Sequence, residues 1–131
     1  MSVDTFDPSA MNAVMDEDTC RELCAFAARF EGDQLQLTEA ELARFTPLAV
    51  HAGWAEKAQT IEPPSVLEAL IKIFTLGEMN YASWAAGDKS PVIALVKELK
   101  RREAYDSSIT KWVKAHTTNR FLPHGSLMDR L

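Results

Sequence analysis

One segment of the sequence limits the fold more than any other. It begins at Pro63-Pro64-Ser65 and runs to Leu76, and Glu68 and Lys72 are its only charged residues. Consecutive prolines cannot lie inside a helix, but either can begin one. The run lacks the period-two alternation of a half-buried strand. A helix that is apolar on most sides must be covered by other elements, so the segment predicts a central helix enclosed by the rest of the chain.

The rest of the chain carries the start and stop signals of further helices. Capping boxes, in which two side chains satisfy free backbone N–H groups, are predicted at Thr19 with Glu22 and at Thr38 with Glu41. Gly32 is a natural stop for the first helix. Further helices are expected to begin at Pro47, to cover Glu78–Ala86, to begin at Ser90-Pro91, and to follow the cap Asp106-Ser107-Ser108. We therefore expect an all-α fold: a single-domain helical bundle of about six helices.

The length of 131 residues fits one domain that can bury a core without metals or disulfides. Residues 1–15 lack a clear period, so we predict a weakly ordered N-terminal arm followed by a single helical domain over residues 16–131. The C-terminal run Arg120–Leu131 is expected to form a short hairpin or a strap over the core at most. The predicted core consists of Leu70, Ile71, Phe74, Val96, Leu99, Trp112 and Val113.

The two cysteines, Cys20 and Cys24, lie one helical turn apart on one face. This spacing suits a strain-free disulfide poorly, and the paired ligands of a zinc site are missing. We expect two buried, reduced thiols that react slowly, with no metal and no cofactor. Neither a signal sequence nor an apolar run of membrane-spanning length is present, which predicts a soluble, cytoplasmic protein with no membrane partner.

The net charge of −5 is unevenly distributed along the chain. Residues 1–46 hold ten acidic residues against three arginines, whereas residues 96–131 hold eight basic residues against four acidic ones. On the last two predicted helices and just after them, one basic set falls on the outward faces: Lys97, Lys100, Arg101, Lys111, Lys114 and Arg120. Such a set is a candidate surface for a polyanion or for a protein partner.

No pattern of residues predicts catalysis. A phosphate-binding glycine loop, an H-E-x-x-H helix and a G-x-S-x-G turn are all missing from the sequence. His51, His116 and His124 are scattered, and a histidine on an apolar stripe is usually a packed residue. We therefore expect a chain that is not an enzyme.

Three interpretations of function follow. The first is a non-enzymatic helical interaction module, adaptor or regulatory, that binds a protein partner or a second copy of itself. The second is a small nucleic-acid-binding regulator that uses the basic C-terminal face in a helix-turn-helix-like layout, although a pI near 5.2 opposes it. The third is an enzyme or small-ligand binder with a Trp/Tyr/His pocket drawn from Trp54, Tyr81, Trp84, Trp112 and the histidines.

Overall fold

The computed structural model describes residues 15–125, which fold into six α-helices. They are α1 (Glu17–Arg29), α2 (Glu39–Ala49), α3 (Trp54–Lys57), α4 (Pro64–Asn80), α5 (Pro91–Arg101) and α6 (Ser107–His116). Single 3₁₀ turns occupy Ala58–Thr60, Ala82–Trp84 and Gly87–Lys89, and residues 15–125 contain no strand. The predicted all-α class and the number of helices are confirmed.

Helix α4 lies at the centre of the bundle. It packs against α1, α5 and α6, while α3 packs on α5 and α2 packs on α1. All but one of the predicted core residues are at most 1% exposed: Leu70, Ile71, Phe74, Val96, Leu99 and Val113. Most sides of α4 are covered, as its nearly continuous apolar sequence requires.

Several predicted helix ends are confirmed. Thr38 and Glu41 form the expected capping box, and Pro64 is the first residue of α4. The Ser90 hydroxyl accepts from the Val92 N–H, and the Asp106 carboxylate accepts from the Ser108 N–H. These side chains satisfy N–H groups that have no partner inside the helix.

The predicted capping box at Thr19 and Glu22 is wrong. Asp16 caps α1 by accepting from the Asp18 N–H at 3.2 Å, and the Thr19 hydroxyl donates to the same carboxylate at 2.6 Å from inside the helix. A carboxylate at the N-terminus also interacts favourably with the helix dipole, so Asp16 is the better cap. Gly32 follows the end of α1 with a φ of +84°, a conformation that glycine adopts without strain.

The helix predicted to begin at Pro47 does not exist as a separate element. Helix α2 continues through Pro47 to Ala49, and α3 begins only at Trp54. The break is fixed by a contact across it, because the Trp54 indole N–H donates to the Leu48 carbonyl at 2.8 Å. Gly53, which donates its N–H to His51 Nδ1 at 2.8 Å, precedes α3 as its N-cap.

The helix predicted over Glu78–Ala86 is also wrong. Helix α4 passes through Gly77 and ends at Asn80, and only a 3₁₀ turn at Ala82–Trp84 follows. The indole of Trp84 is fully buried against Gly77. Packing of this ring, and not helical spacing, sets the path of the chain here.

Trp112 is the one predicted core residue that lies at the surface, half-buried on α6. Its indole N–H donates to Asp33 Oδ1 at 2.9 Å. The ring stacks on His116 with centroids 4.0 Å apart, and the Lys72 ammonium lies 5.3 Å from its centroid. These polar and cationic neighbours stabilise an aromatic ring at the edge of the bundle.

Residues 1–14 of the predicted N-terminal arm and residues 126–131, half of the C-terminal strap, fall outside the described residues. Met15, the last residue assigned to the arm, is buried in the core. Residues 120–125 form turns, in which Leu122 is 3% exposed. Asn119 fastens this segment to the bundle by donating to the Gly87 carbonyl at 3.1 Å. Between residues 15 and 125, no helix is long and apolar enough to cross a membrane.

Candidate functional site

A groove with an aromatic floor lies at the C-terminal end of α1. Phe26 and Phe30 are both only partly buried and face each other with centroids 6.4 Å apart. They line a cavity of about 360 Å³ whose rim is polar: Arg29, Glu31, Gln34 and Gln36. We call this cavity the aromatic groove.

A second depression adjoins the aromatic groove on the other side of Phe30. Its volume is about 330 Å³, and both cavities share Phe30 and Glu31. Its apolar lining comes from the end of α1 and the start of α4, with Ala27 and Val66 among the residues, and Lys72 stands at its edge. The ring of Phe30 therefore separates two neighbouring cavities. Together these cavities are large enough to bind an extended or helical segment.

The loop after α1 gives the aromatic groove its shape. The chain leaves α1 with Phe30 in an extended conformation and then turns at Gly32. Leu35 is 4% exposed and anchors the loop in the core, and its carbonyl accepts from Asn80 Nδ2 at 3.3 Å. The Leu37 N–H donates to the Tyr81 hydroxyl at 3.3 Å. Bonds from distant parts of the chain thus hold the groove in place without a partner.

Helices α1 and α2 and the loop that joins them carry an acidic surface. Residues 15–46 contain eight carboxylates against three guanidinium groups, and all but Glu41 of the eight are exposed. Arg21 pairs with Asp18, and Arg44 pairs with Glu22. The excess of acidic residues in this part of the sequence therefore lies on the surface of α1, α2 and their connecting loop.

All six basic residues of the candidate polyanion surface are exposed: Lys97, Lys100, Arg101, Lys111, Lys114 and Arg120. Two of them are engaged with neighbours. Arg101 pairs with the carboxylate of Glu98. Lys100 donates to His124 Nδ1 at 2.9 Å and lies 5.2 Å from the Tyr105 ring centroid. The ion pair with Glu98 reduces the charge that Arg101 can offer to another molecule.

Of the predicted Trp/Tyr/His pocket, Tyr81 and Trp84 contact each other with ring centroids 5.6 Å apart, but Trp112 lies apart from them on α6. Trp54 and Trp84 are fully buried and both pack on Phe74, with centroids 5.2 Å and 5.8 Å from it. Trp112 and His116 form their stack at the surface of α6. The tryptophans therefore act in packing, as aromatic residues at helical spacing usually do.

Comparison with known protein families, with characterised proteins and with solved structures finds no match. Among the residues that the structure describes, no group of three or more His, Cys, Asp or Glu side chains could hold a metal ion.

A further cavity, of about 220 Å³, lies between α1 and the 3₁₀ turn after α3, and we call it the thiol cavity. Cys20, Cys24 and Lys57 contribute to its lining. Both cysteines are free thiols, as expected, and Cys20 is 1% exposed. Cys24 is only partly buried, so the prediction of two buried thiols is wrong for Cys24. The spacing of the two cysteines along α1 does not show which one is exposed. The exposure of Cys24 depends on the 3₁₀ turn after α3, which packs across from it.

The aromatic groove is not predicted by the sequence. Phe26 and Phe30 are four residues apart, a spacing that places both on one side of a helix. Helical spacing from Cys20, Leu23, Cys24 and Ala27 predicts a buried Phe30, whereas its ring is only partly buried. Phe26 lies to one side of that buried face. This position is the feature of the sequence that indicates an exposed aromatic pair.

Proposed function

We propose that this chain is a non-enzymatic protein-interaction module whose aromatic groove receives a basic amphipathic segment of a partner protein. The observation that carries the proposal is the pairing of two partly buried rings, Phe26 and Phe30, beside helices whose exposed carboxylates outnumber their guanidinium groups. Apolar anchors on the partner would contact the rings, and basic side chains would face the acidic surface of α1 and α2.

The physical chemistry of protein interfaces supports this assignment. A few aromatic or arginine anchors in well-packed pockets supply most of the binding energy of an interface, and amphipathic helices commonly bind by placing apolar side chains in such grooves. Complementary charge mainly accelerates association. Because bonds from Asn80 and Tyr81 already hold the groove, binding costs little reordering of this chain.

The test uses two synthetic 18-residue peptides with leucine at helical spacing, one with lysine and one with glutamate at the remaining positions. Fluorescence anisotropy measures the binding of each peptide to the purified protein at about 0.05 M and 0.15 M salt, between which screening of exposed charges increases. We expect the lysine peptide to bind, more weakly at the higher salt, and the glutamate peptide not to bind.

A matched pair of variants locates the binding site. Phe30→Ala removes the ring that lines both cavities. The affinity for the lysine peptide should fall at least tenfold. Met79→Ala removes an apolar side chain that is 48% exposed elsewhere and should leave binding unchanged. Amide chemical shifts in the presence of peptide should move at Phe26, Arg29 and Gln34. Equal binding of both peptides, or equal loss in both variants, would refute the proposal.

Self-association and location belong to the same proposal. A second copy of the chain could offer its basic α5–α6 residues to the acidic surface, so analytical ultracentrifugation of the protein alone is the necessary companion measurement. We expect a monomer, whereas a head-to-tail contact of that kind would produce rings or open filaments. A dimer or larger assembly that Phe30→Ala abolishes would identify a second copy, and not a partner protein, as the occupant.

We place the module in the cytoplasm, where free thiols such as Cys20 and Cys24 persist.

A further inference from the structure

The thiol cavity brings together two sulfur atoms and one fixed positive charge. Cys20 and Cys24 lie one turn apart on α1, and both line the cavity. Lys57, from the end of α3, completes that side of the cavity. The three side chains come from two separate elements, so their juxtaposition is a product of the fold.

The ammonium group of Lys57 is held in place. Its Nζ donates to Glu17 Oε1 at 2.7 Å, and the lysine side chain is only 18% exposed. This hydrogen bond raises the pKa of Lys57, while partial burial opposes the shift. Lys57 therefore stays protonated and presents a persistent positive charge near the two sulfur atoms.

The two thiols have opposite acid–base behaviour. Interaction with the neighbouring Cys20 thiol lowers the pKa of Cys24 to about 7, burial opposes the shift, and the Lys57 charge adds to it. The same interaction, together with burial, raises the pKa of Cys20. A lowered pKa gives Cys24 more thiolate at neutral pH than an ordinary thiol has. Cys24 is also the more exposed of the two.

We propose that Cys24, the more exposed thiol of the cavity, is a nucleophile that undergoes S-thiolation by low-molecular-weight disulfides, with Lys57 as its electrostatic partner. The Cys24 thiolate attacks one sulfur of the disulfide RS–SR. A new sulfur–sulfur bond forms to Cys24 as the reagent's own sulfur–sulfur bond breaks. The leaving RS⁻ carries away the electron pair and takes a proton from solvent, so no other oxidant is needed.

The reaction stops at the mixed disulfide. Cys20 would have to attack the adduct as a thiolate, but it is buried and protonated. An internal disulfide between residues one turn apart on a regular helix would also be strained. The product is therefore a single adduct on Cys24 that persists until an external thiol removes it.

The first experiment treats the fully reduced protein with glutathione disulfide at pH 7 and follows the intact mass. We expect one glutathione adduct per chain, which peptide mapping places on Cys24. Two adducts, an adduct on Cys20, a product that has lost two hydrogens with no added mass, or no adduct would each overturn the proposal. Cys24→Ser should abolish the reaction.

The second experiment measures the rate of alkylation by iodoacetamide against pH. We expect an inflection near pH 7 in the wild-type chain and an upward shift towards about 8.5, the value of a free thiol, in Lys57→Met. At pH 7 this shift should slow alkylation at least twofold. Lys114→Met removes an exposed lysine from α6 and should leave the profile unchanged. Circular dichroism verifies folding, and identical profiles for wild type and Lys57→Met would remove Lys57 from the mechanism.

Discussion

The indole of Trp84 lies directly on the backbone of Gly77. A Cβ atom at Gly77 would lie 2.2 Å from Cε3 and 2.4 Å from Cζ3 of that ring, far inside van der Waals contact. Trp84 is fully buried, and its indole N–H donates to Thr46 Oγ1 at 2.9 Å. The ring therefore has no free path away from α4, and the position requires a residue without a side chain.

Gly77→Ala should destabilise the protein although alanine is the better helix former by about 1 kcal/mol. Overpacking of a close-packed core usually costs about 1–3 kcal/mol, and the net loss should be seen as a lower midpoint in urea unfolding followed by circular dichroism. In a Trp84→Leu background the added methyl group should cost less, since the clash is removed. A Gly77→Ala variant as stable as wild type would contradict this packing argument.

The same contact explains where prediction from the sequence failed. Local signals sufficed for the Thr38–Glu41 capping box and for the helix starts at Pro64 and Pro91, because caps and first-turn prolines act within one turn of the chain. Gly77 weakens α4 locally, as glycine does inside any helix, yet the packed ring of Trp84 requires it there. Trp54 likewise fixes the end of α2 through its bond to the Leu48 carbonyl.

The candidate sites depend on tertiary contacts in the same way. The acidic and basic ends of the chain could be read from composition, and the exposed carboxylates of α1 and α2 follow from it. The aromatic groove could not, since its loop is held by Asn80 and Tyr81 from the end of α4. The difference in exposure between Cys20 and Cys24 depends on the segment after α3 that packs across from them, which spacing along α1 does not reveal.

Truncation of the central aromatic side chain should be among the most damaging single changes. Phe74 is fully buried between Trp54 and Trp84, so Phe74→Ala should cost about 3–5 kcal/mol, and Leu70→Ala about 2–5 kcal/mol. Met79→Ala, at a side chain that is 48% exposed, should stay within about 0.5 kcal/mol of wild type. Denaturant unfolding measures all three. A loss of only a few tenths of a kcal/mol at Phe74 would mean that α4 is not the centre of the core.

The folded protein should lose stability in acid, and Glu98 should account for part of this loss. Its carboxylate is 5% exposed and accepts from Arg101 and Arg102, and these hydrogen bonds lower the pKa to about 2 against opposition from burial. A depressed pKa in the folded state stabilises the protein above the unfolded value of about 4.5, and this contribution is lost as pH falls from there towards 2. Glu98→Gln should be less stable than wild type at pH 7 and lose less stability on acidification. Thermal melts at half-unit steps of pH measure the difference, and parallel pH curves would refute it.

Glu78 should have the opposite effect. Burial raises its pKa, although Ser90 and Asn119 donate hydrogen bonds to its carboxylate. A raised pKa in the folded state favours the protonated form, so its stabilising contribution is present below the ordinary value and is lost as pH rises through the raised one. Glu78→Gln keeps an acceptor and carries no charge, so its stability relative to wild type should increase with pH. Glu56→Gln, at an exposed position on α3, serves as the control, and a Glu78→Gln curve that follows this control would exclude the effect.

The basic residues of α5 and α6 should not make this chain a nucleic-acid-binding protein at physiological salt. Lys97, Lys111 and Lys114 are exposed, but the chain as a whole is acidic, with a pI near 5.2. Its exposed carboxylates should repel a polyanion that approaches those lysines. We therefore expect flat anisotropy titrations against random duplex and single-stranded probes at about 0.15 M salt, where the screening length is about 8 Å.

Nucleic-acid binding by the lysines of α6 would be recognised by its salt dependence. If the lysines of α6 do bind phosphate groups of a nucleic acid, the affinity should fall steeply with salt, because each neutralised phosphate releases counterions. Lys111→Ala with Lys114→Ala should then flatten the slope of log affinity against log salt by about one unit for each phosphate that is no longer neutralised. Lys89→Ala, an exposed lysine outside the candidate surface, should leave the slope unchanged. Sub-micromolar binding that the double variant alone abolishes would favour the nucleic-acid interpretation, because a non-specific attraction would respond equally to Lys89.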